Sequence, residues 1–296
     1  MVDIKDLKPV ELGHRDLFRE HYRKYPIEHS DYLHGIMCTW KHYMRYSFAL
    51  MDDSILIVGE HEGKMYMRSP VGPLDKKVFE EALTFSREQG FEPLFAMVGE
   101  RTARFLEKEF PELETRPHRD YFDYIYLSSD LRDLQGKRYL KIRNYLNKFR
   151  KQNDHSVEPV SLDNKDEIHD FLVRWCERKG CQDVPFLMQE RQATMFGIDN
   201  FFDLGFEGLC IRVNGQVEAF SIFEEMRSDM AVVHFEKANF DIPGLYQAVN
   251  NEAAKLLAGK YRFMNRESDM GVPGLRKAKE KYRPDHMMKV SHCRMD

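Results

Sequence analysis

The sequence predicts an α/β protein of mixed sheets, divided into two tandem domains. Three observations carry this. Two hairpins with glycine turns alternate with segments of helical apolar spacing. The order helices, hairpin, strand, Pro/Gly turn, helix, strand occurs twice. The length of 296 residues exceeds what a single core usually holds. The boundary falls near 115–120, with domains expected at 1–117 and 118–296. Hydrophobic residues at 42% and charged residues at 32% suit a globular chain.

Residues 13–25 read as a helix ended by Pro26, and helical spacing resumes over 33–46. Runs 55–60 and 64–69 read as strands about a His61-Glu62-Gly63 turn. Leu74, Val78, Ala82 and Phe85 recur at helical spacing, and Gly90 stops that helix. An apolar strand at 93–99 precedes a helix at 101–110 that Pro111 ends. The aromatic run 121–127 is a strand, and a long helix follows. Helix 164–179 has Asn164 as its cap, and 185–200 is also helical. The hairpin 208–226 turns at Asn214-Gly215, a pair that supplies two positive φ angles. Strand 229–238, helix 245–258, strand 261–265 and helix 273–282 complete the order.

Several classes are excluded. No run approaches the ~18–20 apolar residues of a membrane helix. The charged N-terminus lacks a secretory core, so a cytoplasmic placement without a transmembrane segment is expected. Five widely scattered cysteines argue against a disulfide framework. Cys176 and Cys181 are spaced C-x4-C with no second pair, which is not a zinc pattern. The twelve histidines lack ligand spacing, so no metal is expected. Neither a dinucleotide fingerprint, a GK[ST] loop nor a serine elbow occurs. A net charge of −4 does not make the chain a bulk polyanion binder, so local charge matters more.

The strongest local feature is the basic segment 136–151, which holds seven cations and no acid. At 100° per residue Lys137, Lys141, Asn144, Lys148 and Lys151 share one face, while Tyr139, Ile142, Leu146 and Phe149 lie opposite. An ordinary surface helix mixes both signs to limit repulsion, so this ridge, with Arg143, points to a polyanion. That polyanion is a tRNA backbone, a cofactor's phosphates or an acidic headgroup. Pro243-Gly244 and Pro273-Gly274 each follow a strand and open a helix. Free N–H groups there favour anions, and glycine admits a close ligand. The cluster 265–269 sits at a strand end, the usual ligand edge of α/β sheets. Glu267 or Asp269, or Glu236 on the preceding strand, could take an acceptor's proton. His234, Glu236 and Ala238 are expected to share one strand face. Arg276, Lys277 and Lys279 could neutralise phosphate or an oxyanion. The donor and anion-binding candidates are completed by Asn239, Tyr246, Asn250, Asn265, Gly271 and Tyr282.

Three segments, 121–151, 234–257 and 261–284, together resemble the phosphatidylglycerol lysyltransferase C-terminal domain-like family. The run 30–60 is similar to the N-terminal part of its soluble members. The resemblance spans nearly the whole chain. It implies two tandem acetyltransferase-like (GNAT) domains, similar to the Fem peptidoglycan-bridge aminoacyltransferases. It also implies a phosphate-binding loop at 239–246. The expected activity is acyl or aminoacyl transfer from an activated donor to an amine or hydroxyl. Aminoacyl-tRNA or acyl-CoA would be the co-substrate, and no cofactor is held tightly. The acceptor is a small molecule, a peptide or a lipid headgroup. The alternative is a non-catalytic RNA- or nucleotide-binding protein that keeps the fold.

Overall fold

A computed structural model describes residues 3–295. They form two compact units. The first comprises 3–123, 268–272 and 287–295, and the second 124–267 and 273–286. The expected split at 117/118 thus lies just before the first change of unit. One continuous C-terminal domain does not describe 268–272 and 287–295, which pack with the first unit.

In the first unit, strands β1 (Lys8–Pro9), β2 (Arg45–Met51), β3 (Ser54–His61) and β4 (Lys64–Met67) form an antiparallel sheet in that order. A three-stranded sheet places the chain's last strand, Val290–Met295, between β5 (Phe95–Gly99) and β6 (Leu113–Pro117). Helices α1 (Arg15–Lys24), α2 (His34–Thr39), α3 (Lys76–Glu88) and α4 (Glu100–Glu109) accompany the sheets. Asp75 caps α3, its side chain accepting from the Lys77 N–H at 2.8 Å. Phe79, Leu83, Phe95 and Leu106 fill the core. The helix expected over 33–46 stops at Thr39 and gives way to β2. Cross-strand pairing of Arg45 with Glu60 and of Tyr46 with Gly59 overrides the local helical spacing at its end.

The second unit is built on a mixed sheet whose strands neighbour one another in the order β7 (Asp123–Leu127), β12 (Phe263–Asn265), β11 (Met230–Ala238), β10 (Gln216–Arg227), β9 (Glu207–Val213), β8 (His155–Pro159). The long helix expected after β7 is divided into α5 (Ser128–Asp133) and α6 (Leu140–Gln152). Leu134 and Gly136, at φ 49° and 81°, turn the chain between them. Helices α7 (Lys165–Lys179), α8 (Pro185–Asp199) and α9 (Phe201–Leu204) come next, then α10 (Leu245–Leu257) and α11 (Pro273–Glu280). Asn164 sits at the start of α7, but its side chain does not cap it. It turns back to the Ser161 N–H at 2.8 Å and the Pro159 carbonyl at 2.9 Å. Cys176 and Cys181 form one local disulfide across Gly180 at the end of α7, while Cys38, Cys210 and Cys293 are buried thiols. Here the expectation of no disulfide framework needs correction: residues five apart meet where a left-handed glycine reverses the chain.

Strand β11 is irregular in two ways. Its parallel pairing with β12 ends at Val232↔Asn265, while β11 itself continues to Ala238. Its register with β10 also shifts. Ile222 faces Phe235 but Phe223 faces Val233, so His234 is the extra residue of a bulge. The simple alternation expected of 234, 236 and 238 is broken there.

Candidate active site beyond the β11–β12 pairing

Past the last β11–β12 pair, Glu236 on β11 meets Arg266, the first residue after β12. Arg266 Nη2 donates to Glu236 Oε1 at 2.9 Å, and Asn250 Nδ2 on α10 donates to Oε2 at 3.3 Å. The Arg266 and Glu236 side chains are 15% and 10% exposed, so the pair is largely desolvated yet still reachable. The Arg266 main chain is fixed on both sides. Its N–H donates to the Tyr124 carbonyl at 3.0 Å, and Lys279 Nζ donates to its carbonyl at 2.5 Å. The Tyr126 and Tyr282 rings stand 5.8 and 5.0 Å from the guanidinium. Burial opposes the Arg266 charge, but Glu236 and these tyrosines hold its pKa above the ordinary value. Burial pushes the Tyr126 hydroxyl up and the Tyr282 hydroxyl to about 12.

Three buried polar atoms of this neighbourhood make no hydrogen bond: Arg266 Nη1, Asn250 Oδ1 and Ser221 Oγ. Ser221 lies directly opposite Glu236 on β10. Buried polar groups are nearly always satisfied, so three orphans around one ion pair mark a place suited to a ligand's own polar atoms.

Of the candidates read from sequence, Glu236, Asn250 and Tyr282 gather here. Arg266 was missed, although it lies inside the 265–269 cluster; its partner is 30 residues away in sequence, and spacing alone gave no signal. Glu267 is engaged elsewhere. Its Oε1 accepts from His234 Nδ1 at 2.7 Å, while His234 Nε2 donates to Glu224 at 2.8 Å. Burial opposes the charge on His234, but the two carboxylates raise its pKa to about 9. Asp269 belongs to the first unit, fully buried, pairing with Arg119 Nη1 at 3.1 Å and accepting the Gly271 N–H at 2.9 Å. This carboxylate holds a turn of the first unit together. Asn265 likewise shapes the turn, accepting the Glu267 N–H at 2.7 Å.

The loop expected to cradle phosphates is closed on itself. Asn239 accepts from the Asp241 N–H at 3.0 Å and from Arg178 at 3.1 Å, and donates to Glu218 at 2.8 Å. Asp241 pairs with Arg178. Gly244 has φ 89°, and a Cβ there would strike the Tyr145 carbonyl oxygen and Phe149. The close approach that needs glycine is thus made by α6. Tyr246 is half-buried, and burial raises its hydroxyl to about 12. Gly271, at φ 73°, meets Asp120 within the first unit, whereas Gly274 faces open space. Arg276 is half-buried on α11 and Lys277 exposed.

On α6 and the turn before it, Tyr139, Ile142, Leu146 and Phe149 are buried, and Lys137, Lys141, Asn144 and Lys148 are exposed, as the periodicity required. Arg143 leaves the ridge to donate to the Gly136 carbonyl at 2.7 Å and to that of Leu134. Burial, then repulsion from the nearby Lys141, lowers the pKa of Lys281. Among the described residues no cluster of three potential metal ligands occurs, and no helix is long and apolar enough to cross a membrane.

The chain is similar to several solved structures. A conserved protein of unknown function from Bacteroides thetaiotaomicron VPI-5482 shares 29% identity with a TM-score of 0.91, covering 98% of this chain and 99% of that one. L-PGS from Bacillus licheniformis matches at 13% identity and a TM-score of 0.64 over 95% and 92%. FemX matches at 10% and 0.56 over 95% and 94%. At these identities the last two show a shared α/β fold. No curated protein matches the chain. A model of the family described as "Phosphatidylglycerol lysyltransferase, C-terminal" matches residues 22–294, and the chain belongs to that family.

Proposed function

We propose that the second unit transfers an aminoacyl group from aminoacyl-tRNA to an amine or hydroxyl by direct attack. Family membership supports group transfer in general. The observation that carries the finer reading is the buried Glu236–Arg266 pair, whose Nη1 lacks an acceptor. A fixed guanidinium N–H suits a carbonyl oxygen that gains negative charge as the acceptor adds. The acceptor's nitrogen or oxygen bonds to the ester carbon, the ester C–O bond breaks, and the acceptor's proton leaves with the departing hydroxyl. Positioning alone supplies much of such a rate, without a protein nucleophile.

RNA is favoured over acyl-CoA as the donor's carrier. Asn239 spends its polar atoms inside the loop, and α6 fills the space beside Gly244. The exposed lysines of α6 offer a track for backbone phosphates. The test follows loss of label from a panel of charged tRNAs in the presence of amine, hydroxyl and lipid-headgroup acceptors. Arg266→Lys is expected to slow turnover about 100-fold, as loss of one oxyanion donor does. Consumption of acyl-CoA but of no aminoacyl-tRNA would overturn the reading. Salt-sensitive tRNA binding without any turnover would favour the non-catalytic alternative.

A further inference from the structure

We infer that Glu236 and Asn250 form a subsite for the free α-ammonium of the transferred group, so the donor must carry an unmodified amino acid. The inference rests on the aminoacyl-transfer reading and specifies which part of the donor is recognised. A carboxylate only accepts hydrogen bonds, so the amide nitrogen of Asn250 must face Glu236 Oε2. Its Oδ1 is thereby turned to another side, where it is buried without a donor. Glu236 Oε1 takes Arg266 Nη2. Each carboxylate oxygen still has a further acceptor site.

The cluster therefore keeps unused acceptors: the remaining lone pairs of Glu236 and, separately, Asn250 Oδ1. Ser221 Oγ, level with Glu236 on the neighbouring strand, adds a hydroxyl able to accept or donate. It also keeps one unused donor, Arg266 Nη1. Leaving buried polar atoms unpaired is costly, so the matching ligand brings several N–H donors on a cation and one acceptor oxygen close by. An α-ammonium beside an ester carbonyl has both, one carbon apart. A plain acyl group lacks the cation, and an N-acylated aminoacyl group keeps one N–H and no charge. This gives Glu236 a binding role in place of the proton-acceptor role expected from sequence.

The experiment measures calorimetric binding of 3′-aminoacylamino-3′-deoxyadenosines, stable mimics of the aminoacyl-RNA end, in alanyl, leucyl and lysyl forms. The same compounds N-acetylated serve as comparison. At least one free-amine form should bind, and its N-acetyl form about tenfold more weakly or worse. Glu236→Gln and Asn250→Leu should remove that discrimination while N-acetyl binding is kept, which a folding defect would not do. Ser221→Ala, a milder change, should narrow it. Equal affinity for both forms, no binding by any compound, or discrimination that survives Glu236→Gln would overturn the subsite. Discrimination with no consumption of any aminoacyl-tRNA would leave the subsite standing and sink the transfer reading. Equal transfer from N-acetylaminoacyl-tRNA would do the reverse.

Discussion

Both ring nitrogens of His234 meet carboxylates, Glu267 at 2.7 Å and Glu224 at 2.8 Å. Carboxylates accept, so the ring carries a proton on each nitrogen. Its pKa is raised to about 9 from an ordinary 6.5. A raised histidine pKa stabilises fully below about pH 6.5, and the contribution is lost as pH rises through about 9. The size is on the order of 3 kcal/mol. His29 acts in the same direction: burial opposes its charge, but Asp123 at 3.1 Å brings it to about 9. Urea unfolding at stepped pH should therefore show stability falling between pH 6.5 and 9, and His234→Gln should flatten the fall without abolishing it. At this scale the sequence offered residue types but not partners. Glu236, Glu267 and Asp269 looked equivalent as carboxylates near strand ends. Folding gave them three different counterparts, Arg266, His234 and Arg119.

The basic helix was legible because its periodicity is local, and burial of Ile142, Leu146 and Phe149 follows from it. Arg143 was not separable from the ridge by spacing, since the carbonyls that draw it away belong to the turn that splits α5 from α6. Reversing Lys141 and Lys148 to glutamate should weaken tRNA binding and reduce the salt slope by about 2, roughly one per lost phosphate contact. Filter binding over a salt series measures this. The Pro243-Gly244 turn was legible as a helix start, but not its reason for glycine. The positive φ and the Tyr145 carbonyl both exclude a side chain. Gly244→Ala should cost about 2 kcal/mol in chemical denaturation, since α6 must shift to admit the methyl. Gly274→Ala, which meets nothing within 4 Å, serves as its control.

Across the molecule, the chain returns to its first unit twice, and the last strand lies at the centre of a three-stranded sheet. Removing residues 289–296 should leave β5 and β6 without their shared neighbour. Limited proteolysis should then cleave the first unit rapidly, whereas loss of an edge strand would be better tolerated. A fragment starting at residue 118 keeps that strand away from its partners and is expected to fold poorly for the same reason. By itself the sequence determined what depends on neighbours a few residues apart: the α/β class, most helices and hairpins, the cationic ridge and, through three motifs, the family. The tertiary structure decided what depends on distant partners. It placed Val290–Met295, a polar strand with no alternating signal, between β5 and β6. It also brought Glu236, Asn250 and Arg266 together where β11 outruns β12. Periodicity reports only which side of its own helix or strand a residue occupies, whereas an ion pair is chosen by which other elements the whole core brings within reach.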